Sequence, residues 1–379
     1  MSRSVVHLTP FLHGGQGRAI TDLACAQRAS GDGVLIVTSA TGPAGYEKHP
    51  HHLNRLQSAG VQVRAETSLF EGAPALTEQV VSRLRQLRNA GGIDVLHAHA
   101  PVSAAIALRI SDAPTTGRPI VVHTQHGLSS AKTTAQARHD IDLLKTVDAV
   151  VATSAATQDF LAQAGVARER ITMIPVGVSP HAPPPAPSTL ASMERIRGVG
   201  RVVVGCIGPV TDNRNQALLV RALALEGART IHAVFIGEGG DTLVAPAREA
   251  GVVDRVHVVG YQPDAATWIG LFDAVVVPSR FAEGGLVVLE AFRAGVPVVA
   301  SNVPRLRELV SDYDTGWLFE SDDARSLAAA LSRATSIRRE IRDQIVDAAA
   351  RKFLAGYTTD AMVARHAELY ARVAGLLGR

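Results

Sequence analysis

Two carboxylates bracket a glycine pair in one short stretch, Glu283-Gly284-Gly285-Leu286-Val287-Val288-Leu289-Glu290. Ahead of it, Val275 to Val277 is a β-branched run stopped by Pro278, which suits a buried parallel strand. Behind it, Leu286 to Ala294 has the character of a helix ended by Gly295 and Pro297, and Val298 begins another strand. Strand, glycine turn, helix and strand make one βαβ unit. The free amides at a helix N-terminus attract anions, and glycine lets an anion approach the backbone. An acid inside that helix repels phosphate but accepts hydrogen bonds from ribose or sugar hydroxyls. The stretch therefore reads in two ways. It is a nucleotide-sugar cradle, with the amides of Gly284, Gly285 and Leu286 for a diphosphate and Glu290 for hydroxyls, or it is an ordinary βαβ turn with a solvated Glu283.

A second glycine loop lies near the start of the chain. The strand Val5-Val-His-Leu is followed by His13-Gly14-Gly15-Gln-Gly17, and a helix is expected from Arg18 to Ala29. This is again an anion-binding arrangement, but its spacing does not fit the G-x-G-x-x-G of dinucleotide-binding folds. Two further strands end in histidines, Ile93 to His99 and Val121 to Gly127. Ligands of α/β sheets gather at the carboxyl ends of strands. His97, His99, His123 and His126 are thus candidates for a general base or a phosphate contact, or else buried structural residues. His49, His51 and His52 form a polar tract expected to be exposed, and no Cys or acid completes a metal site there.

Strands alternate with helices along the whole chain, with strand readings at Val34–Thr38, Asp148–Thr153, Arg201–Gly208, His232–Gly237 and Val256–Gly260. This defines an α/β class. Proline density from Pro180 to Leu190 marks an extended linker between two domains. A chain of 379 residues with 46% hydrophobic content can fill two cores, and its 4% aromatic content suits Ala/Val-rich α/β packing. Two distant cysteines, Cys25 and Cys206, suggest a reducing compartment. No signal-peptide core precedes the first strand, and no apolar run reaches the roughly 18 residues of a membrane span, so a cytoplasmic location is expected. A net charge of +3 gives no case for nucleic acid. Arg83, Arg85 and Arg88 cluster on a helix, either as a solvated face or as a weak peripheral contact with an anionic membrane.

The ordered run Pro278-Ser279, Glu283-Gly-Gly-Leu-Val-Val-Leu-Glu290-Ala, Gly295-Val-Pro-Val-Val-Ala, Glu308 and Thr315-Gly316 resembles the signature of the retaining GT-B glycosyltransferases of family 4, the glycosyl transferases group 1. The resemblance is strong from about residue 205 to 317 and moderate before. It implies two Rossmann-like doubly wound domains facing a cleft. The acceptor-side domain would be 1–180 and the linker 181–190. The nucleotide-sugar domain would be 191–360, and a last helix in 361–379 would cross back to the first domain. It implies transfer of a sugar from a nucleotide-diphosphate sugar to a small-molecule, glycan or lipid-linked acceptor, without metal or other cofactor. Arg214 and the amides at Gly284 to Leu286 would hold the diphosphate, with Gly208 beside them. Glu290 would hold the ribose, Glu283 the sugar hydroxyls, Gly15 the donor phosphate or sugar, and His126 the donor sugar.

Three departures bear on activity. The two acids stand one residue closer than in the family, so Ala282 takes the first acid's place unless the Gly-Gly loop shifts. Pro209 replaces the family's Arg, and Arg214 replaces its Lys; Arg280 or Arg305 can compensate. Asp140-Ile-Asp142 and Asp312-Tyr-Asp314 match the Asp-x-Asp of another glycosyltransferase fold, but they read as a helix and a turn and not as metal ligands. A weakly active or non-catalytic nucleotide-sugar-binding homologue and a sugar-nucleotide epimerase or hydrolase are the competing readings.

Overall fold

The computed structural model describes residues 2–40, 50–66, 74–90, 92–112, 118–127, 133–281 and 284–378. The chain divides into two compact units: Met1–Gly177 with Thr358–Arg379, and Val178–Tyr357.

In the first unit the order is β1 (Ser4–Leu8), α1 (Gly14–Ala29), β2 (Gly33–Ser39), α2 (His51–Ser58), β3 (Gln62–Glu66), α3 (Pro74–Asn89), β4 (Val95–Ala98), α4 (Pro101–Ser111), β5 (Ile120–Gln125), α5 (Thr134–Leu144), β6 (Ala149–Ala152), α6 (Ala155–Gln163) and β7 (Ile171–Met173). The strands form one parallel sheet in the order β3-β2-β1-β4-β5-β6-β7. Alternate residues supply its two faces. Val6, Leu8, Leu96 and Val121 join Leu84 and Ile106 in one core. Val5, Val95, Ile120 and Val122 face the other way, against Leu23 of α1 and Met362, Leu369 and Tyr370 near the C-terminus. With both faces covered, the strands carry the continuous apolar runs seen in the sequence.

The second unit contains α7 (Pro187–Ile196), β8 (Val202–Ile207), α8 (Gln216–Leu223), β9 (Ile231–Ile236), α9 (Val244–Glu249), β10 (Val256–Gly260), β11 (Ala274–Val277), α10 (Leu286–Ala294), β12 (Val298–Ser301), α11 (Pro304–Leu309), β13 (Trp317–Phe319), α12 (Ala324–Ser336) and α13 (Arg339–Gly356). Its parallel sheet runs β10-β9-β8-β11-β12-β13. The last helix, α14 (Thr359–Leu376), packs within the first unit.

Three readings of the sequence change. The first glycine loop is shorter than expected, because α1 begins at Gly14 and not at Arg18. Within the stretch read as linker, an α-helix starts at Pro187, where the missing N–H costs nothing at a helix start. Its Met193 is buried in a core of the second unit. His52 is buried, not exposed, with Nδ1 3.3 Å from the Thr21 hydroxyl, and burial with neighbouring cations lowers its pKa to about 3. His51 shares that helix, and His49 lies outside the described residues.

The arginine cluster of α3 has structural partners. Arg85 donates twice to the Arg109 carbonyl, at 3.1 and 2.7 Å, and Arg88 donates to the Ile110 carbonyl. Those carbonyls end α4, where the helix dipole favours cations. Among the described residues, no helix is long and apolar enough to cross a membrane.

Candidate active site

In the second unit the strand order reverses between β8 and β11, and an open α/β sheet offers its ligand crevice beyond the carboxyl ends of such strands. Gly208 follows β8 with φ of 134°, and Gly237 follows β9 with φ of 149°. A Cβ on Gly237 would lie 2.2 Å from the Gly208 carbonyl oxygen, so glycine is required for these turns to touch. Gln216 at the start of α8 donates to the carbonyls of Gly208 and Pro209, at 3.2 and 2.8 Å. Arg214 lies over this turn, its guanidinium 3.9 Å from where a Gly208 Cβ would stand. The Arg214 side chain has no hydrogen bond or ion pair among the described residues, and it is partly buried.

Arg280, after β11, is differently placed. It donates to Asp322 at 2.7 Å and to the Asp212 carbonyl at 2.6 Å. Its own N–H meets the Asn213 carbonyl at 2.9 Å, which holds the loop after β11 beside the loop carrying Arg214. Its cation is thus engaged by protein.

Helix α10 occupies the residues that the glycine and proline stops define in the sequence. Its N-cap is Gly285 at φ 68°, with no side-chain cap and no acid in the first turn. A Cβ there would meet Leu309 Cδ1 at 2.3 Å. The first-turn amides of Leu286 and its successors have no intrahelical acceptor, as at any helix start. Arg305 on α11 braces the turn from inside. At 4% exposure, it donates to the Gly284 carbonyl at 3.1 Å and to Glu308 at 2.8 Å. Glu290 lies one turn further along α10, also at 4% exposure, between buried Leu289 and Ala291. A carboxylate in such a place costs several kcal/mol of desolvation that an apolar residue would avoid. Gly208, Arg214, Gly284, Gly285, Leu286 and Glu290 thus all sit on the carboxyl-end side of one sheet. Glu283 and Ala282 lie outside the described residues.

The first unit carries a histidine cluster of its own. Cα pairing places His7 beside His97 on neighbouring strands. His7 Nδ1 is 2.9 Å from His99 Nε2, and His99 Nδ1 is 3.0 Å from His126 Nε2. His97 lies between the Tyr370 hydroxyl and Thr124, at 2.7 Å from each. Burial is the main cause that lowers the pKa of His7 to about 4 and of His126 to about 3, and it takes His97 and His99 well below the ordinary value. All four are neutral at pH 7. Gly15 is exposed in the first turn of α1, and its neighbour Gln16 donates to the His99 carbonyl at 2.9 Å, tying that turn to the histidine cluster. A cavity of about 10 Å³ beside His99, His126 and His366 has room for no more than one water, so it is no sugar pocket. Gln27 and Tyr370, which complete the cluster, carried no signal in the sequence. They lie 343 positions apart, and only the packing of α14 brings them together.

The Asp-x-Asp pairs are where the sequence places them. Asp140 and Asp142 are on α5, Asp142 paired with Lys145, and Asp312 accepts from the Leu318 N–H.

Two Rossmann-like units, with glycines at the turn into α1 in the first and into α10 in the second, have the architecture of the GT-B fold. Residues 201–336 match the sequence pattern of the glycosyl transferases group 1, and residues 13–182 match that of glycosyltransferase family 4. The chain belongs to this family of glycosyltransferases. It is 27% identical over 401 positions to a D-inositol 3-phosphate glycosyltransferase of Thermobispora bispora, covering 96% of this chain and 92% of that one. It is 29% identical over 204 positions to the lipopolysaccharide core mannosyltransferase LpsB of Rhizobium meliloti, covering 50% of this chain and 55% of that one. The fold matches Anabaena HepE, solved with UDP and glucose, at a TM-score of 0.80 and 20% identity over 97% of this chain and 99% of that one. It matches sucrose-phosphate synthase of Thermosynechococcus elongatus equally well, at 0.80 and 19% identity over 99% and 100% of the two chains.

Proposed function

We propose that the protein transfers a glycosyl group from a nucleotide-diphosphate sugar to a hydroxyl acceptor with retention of anomeric configuration and without a metal ion. The observation that carries this reading is the pairing of an uncapped helix start at Gly285 with a buried carboxylate, Glu290, one turn inside it. Amides there suit a diphosphate, and the carboxylate suits the vicinal hydroxyls of a ribose. Arg214, a cation with no protein partner among the described residues, supplies fixed positive charge to the leaving diphosphate. Charge-assisted bonds of this kind replace a metal's role in neutralising the diphosphate. Arg305 holds the turn in shape, since its guanidinium is already engaged by Gly284 and Glu308.

His126 is the contact to the donor sugar, Gly15 the contact to its phosphate or sugar, and Glu283 the acid for the sugar hydroxyls. The departing diphosphate accepts the acceptor's proton, so no protein base is needed. HepE was solved with UDP, UDP-glucose and glucose, and the relatives named above include an inositol phosphate glycosyltransferase and a mannosyltransferase, which supports a nucleotide-sugar donor. The acceptor is a small molecule, a glycan or a lipid-linked compound. Free thiols at Cys25 and Cys206 suit a cytoplasmic location. The test is the donor dependence of Glu290→Ala together with the anomeric configuration of the product by proton NMR. A sharply raised donor KM and a retained anomer support the reading, and an unchanged KM or an inverted anomer rejects it.

A further inference from the structure

The histidines of the first unit form a directed chain. Gln27 Oε1 is an acceptor, 2.7 Å from His7 Nε2, so that nitrogen carries the proton. A neutral imidazole has one N–H, so His7 Nδ1 is an acceptor and takes a hydrogen bond from His99 Nε2 at 2.9 Å. The same reasoning makes His99 Nδ1 an acceptor, and His126 Nε2 donates to it at 3.0 Å. Three rings and one amide then leave His126 with its proton on Nε2 and a bare Nδ1. The other end of the Gln27 amide sets a second branch. Gln27 Nε2 donates to the Tyr370 oxygen at 3.3 Å, Tyr370 donates to His97 Nδ1 at 2.7 Å, and His97 Nε2 donates to Thr124 at 2.7 Å. Turning the amide over would reverse every bond in both branches and put the His126 proton on Nδ1.

The bonds at His7, His97 and His99 are all satisfied only if those rings stay neutral, since each uses one nitrogen to donate and the other to accept. Burial drives the pKa of His7 to about 4 and takes those of His97 and His99 well below the ordinary value, which keeps protons from breaking the order. The network is closed to water, since His7, Gln27, His97, His99 and Tyr370 are all at 3% exposure or less. A disordered set of tautomers would leave a buried N–H facing an N–H.

We propose that Gln27 is a positioning residue that fixes His126 as a hydrogen-bond acceptor at Nδ1, so that His126 accepts a hydrogen bond from a hydroxyl of the donor sugar instead of donating one. The functional half of this statement rests on the reading that His126 meets that sugar; the tautomer does not. The arrangement selects donors whose facing group is a hydroxyl, and it disfavours a donor carrying a bare acceptor at that position.

The test reads tautomers directly, from ring-nitrogen shifts of ¹⁵N-histidine-labelled full-length protein. The wild type is expected to show His7, His97, His99 and His126 all protonated at Nε2. Gln27→Met removes the anchoring acceptor at nearly constant volume, and His126 is expected to shift toward Nδ1–H. Tyr370→Phe cuts only the second branch, so His97 loses its fixed tautomer while His126 keeps its own. In kinetics, Gln27→Met should lower kcat at least tenfold while Tyr370→Phe lowers it less than threefold. Nδ1–H on His126 in the wild type, or an unchanged His126 in Gln27→Met, overturns the proposal. A changed tautomer with unchanged kcat overturns only the sugar contact. The ring nitrogens of His7, His97 and His99 also lie within 4.8 Å of one another. Protein that purifies with a stoichiometric transition metal on those nitrogens would therefore overturn the hydrogen-bonded chain as well.

Discussion

Replacing Arg214 by alanine separates function from stability. Its guanidinium makes no hydrogen bond or ion pair among the described residues, so removal breaks no folded contact of that kind. Surface substitutions of that sort stay within about 0.5 kcal/mol. In a unit of this size that is a melting shift of no more than about 2 °C. The effect on transfer should be far larger. A charge-assisted hydrogen bond is worth about 1.5–3 kcal/mol, and loss of one oxyanion donor costs about 2.7–4. Arg214 is only partly buried, so the lower range applies, and about 2–3 kcal/mol corresponds to a fall of about 30- to 150-fold in kcat. Initial-rate assays of donor turnover, alongside differential scanning calorimetry, measure both quantities. Arg280→Ala is the contrasting variant. It loses an exposed ion pair worth no more than about 1 kcal/mol and a loop tie, so its loss appears chiefly in the melting curve. Full activity in Arg214→Ala, or a collapse of its melting temperature, refutes the assignment of Arg214 as a free cation for the diphosphate.

Other outcomes follow from the same geometry. Gly285→Ala forces an L side chain to φ 68° and into Leu309, and should destabilise the second unit by about 2–4 kcal/mol in denaturant titration. Glu290→Ala should raise the donor KM at least tenfold with a smaller change in stability, as read by steady-state kinetics. The buried histidines make the first unit acid-sensitive. Their folded pKa values lie below the unfolded value near 6.5, so the unfolded chain binds the extra protons. Stability is complete above pH 6.5 and falls between there and about 4 for His7 and His366. Each such group contributes about 1.4 kcal/mol per pH unit in that window. Denaturant midpoints at pH 7.5, 6 and 5 should therefore fall progressively, and a flat profile would show that these rings are not held neutral.

Much of this was legible in the chain. The bounds of α10 follow from Gly285, Gly295 and Pro297, because backbone punctuation is local. The two sheets follow from β-branched runs buried on both faces. What the sequence does not display depends on contacts across long separations. The burial of His52 is set by the packing of α2 on α1, not by its polar neighbours. The partners of Arg85 and Arg88 are carbonyls of another helix, which no side-chain pattern announces. The tautomer chain through Gln27 and Tyr370 needs the pairing of β1 with β4 and the return of α14 to the first unit. Pro187 illustrates the opposite error, where proline density suggests extension although one proline starts a helix.

The central claim is that the second unit binds a nucleoside diphosphate through α10 and Arg214. It is tested most directly by calorimetric titration of the protein with UDP, GDP, ADP and dTDP in the presence of EDTA. The account predicts that one nucleotide binds with micromolar affinity, that Glu290→Ala abolishes the binding and that Arg214→Ala weakens it. Binding of none, or binding that survives in both variants, would contradict it.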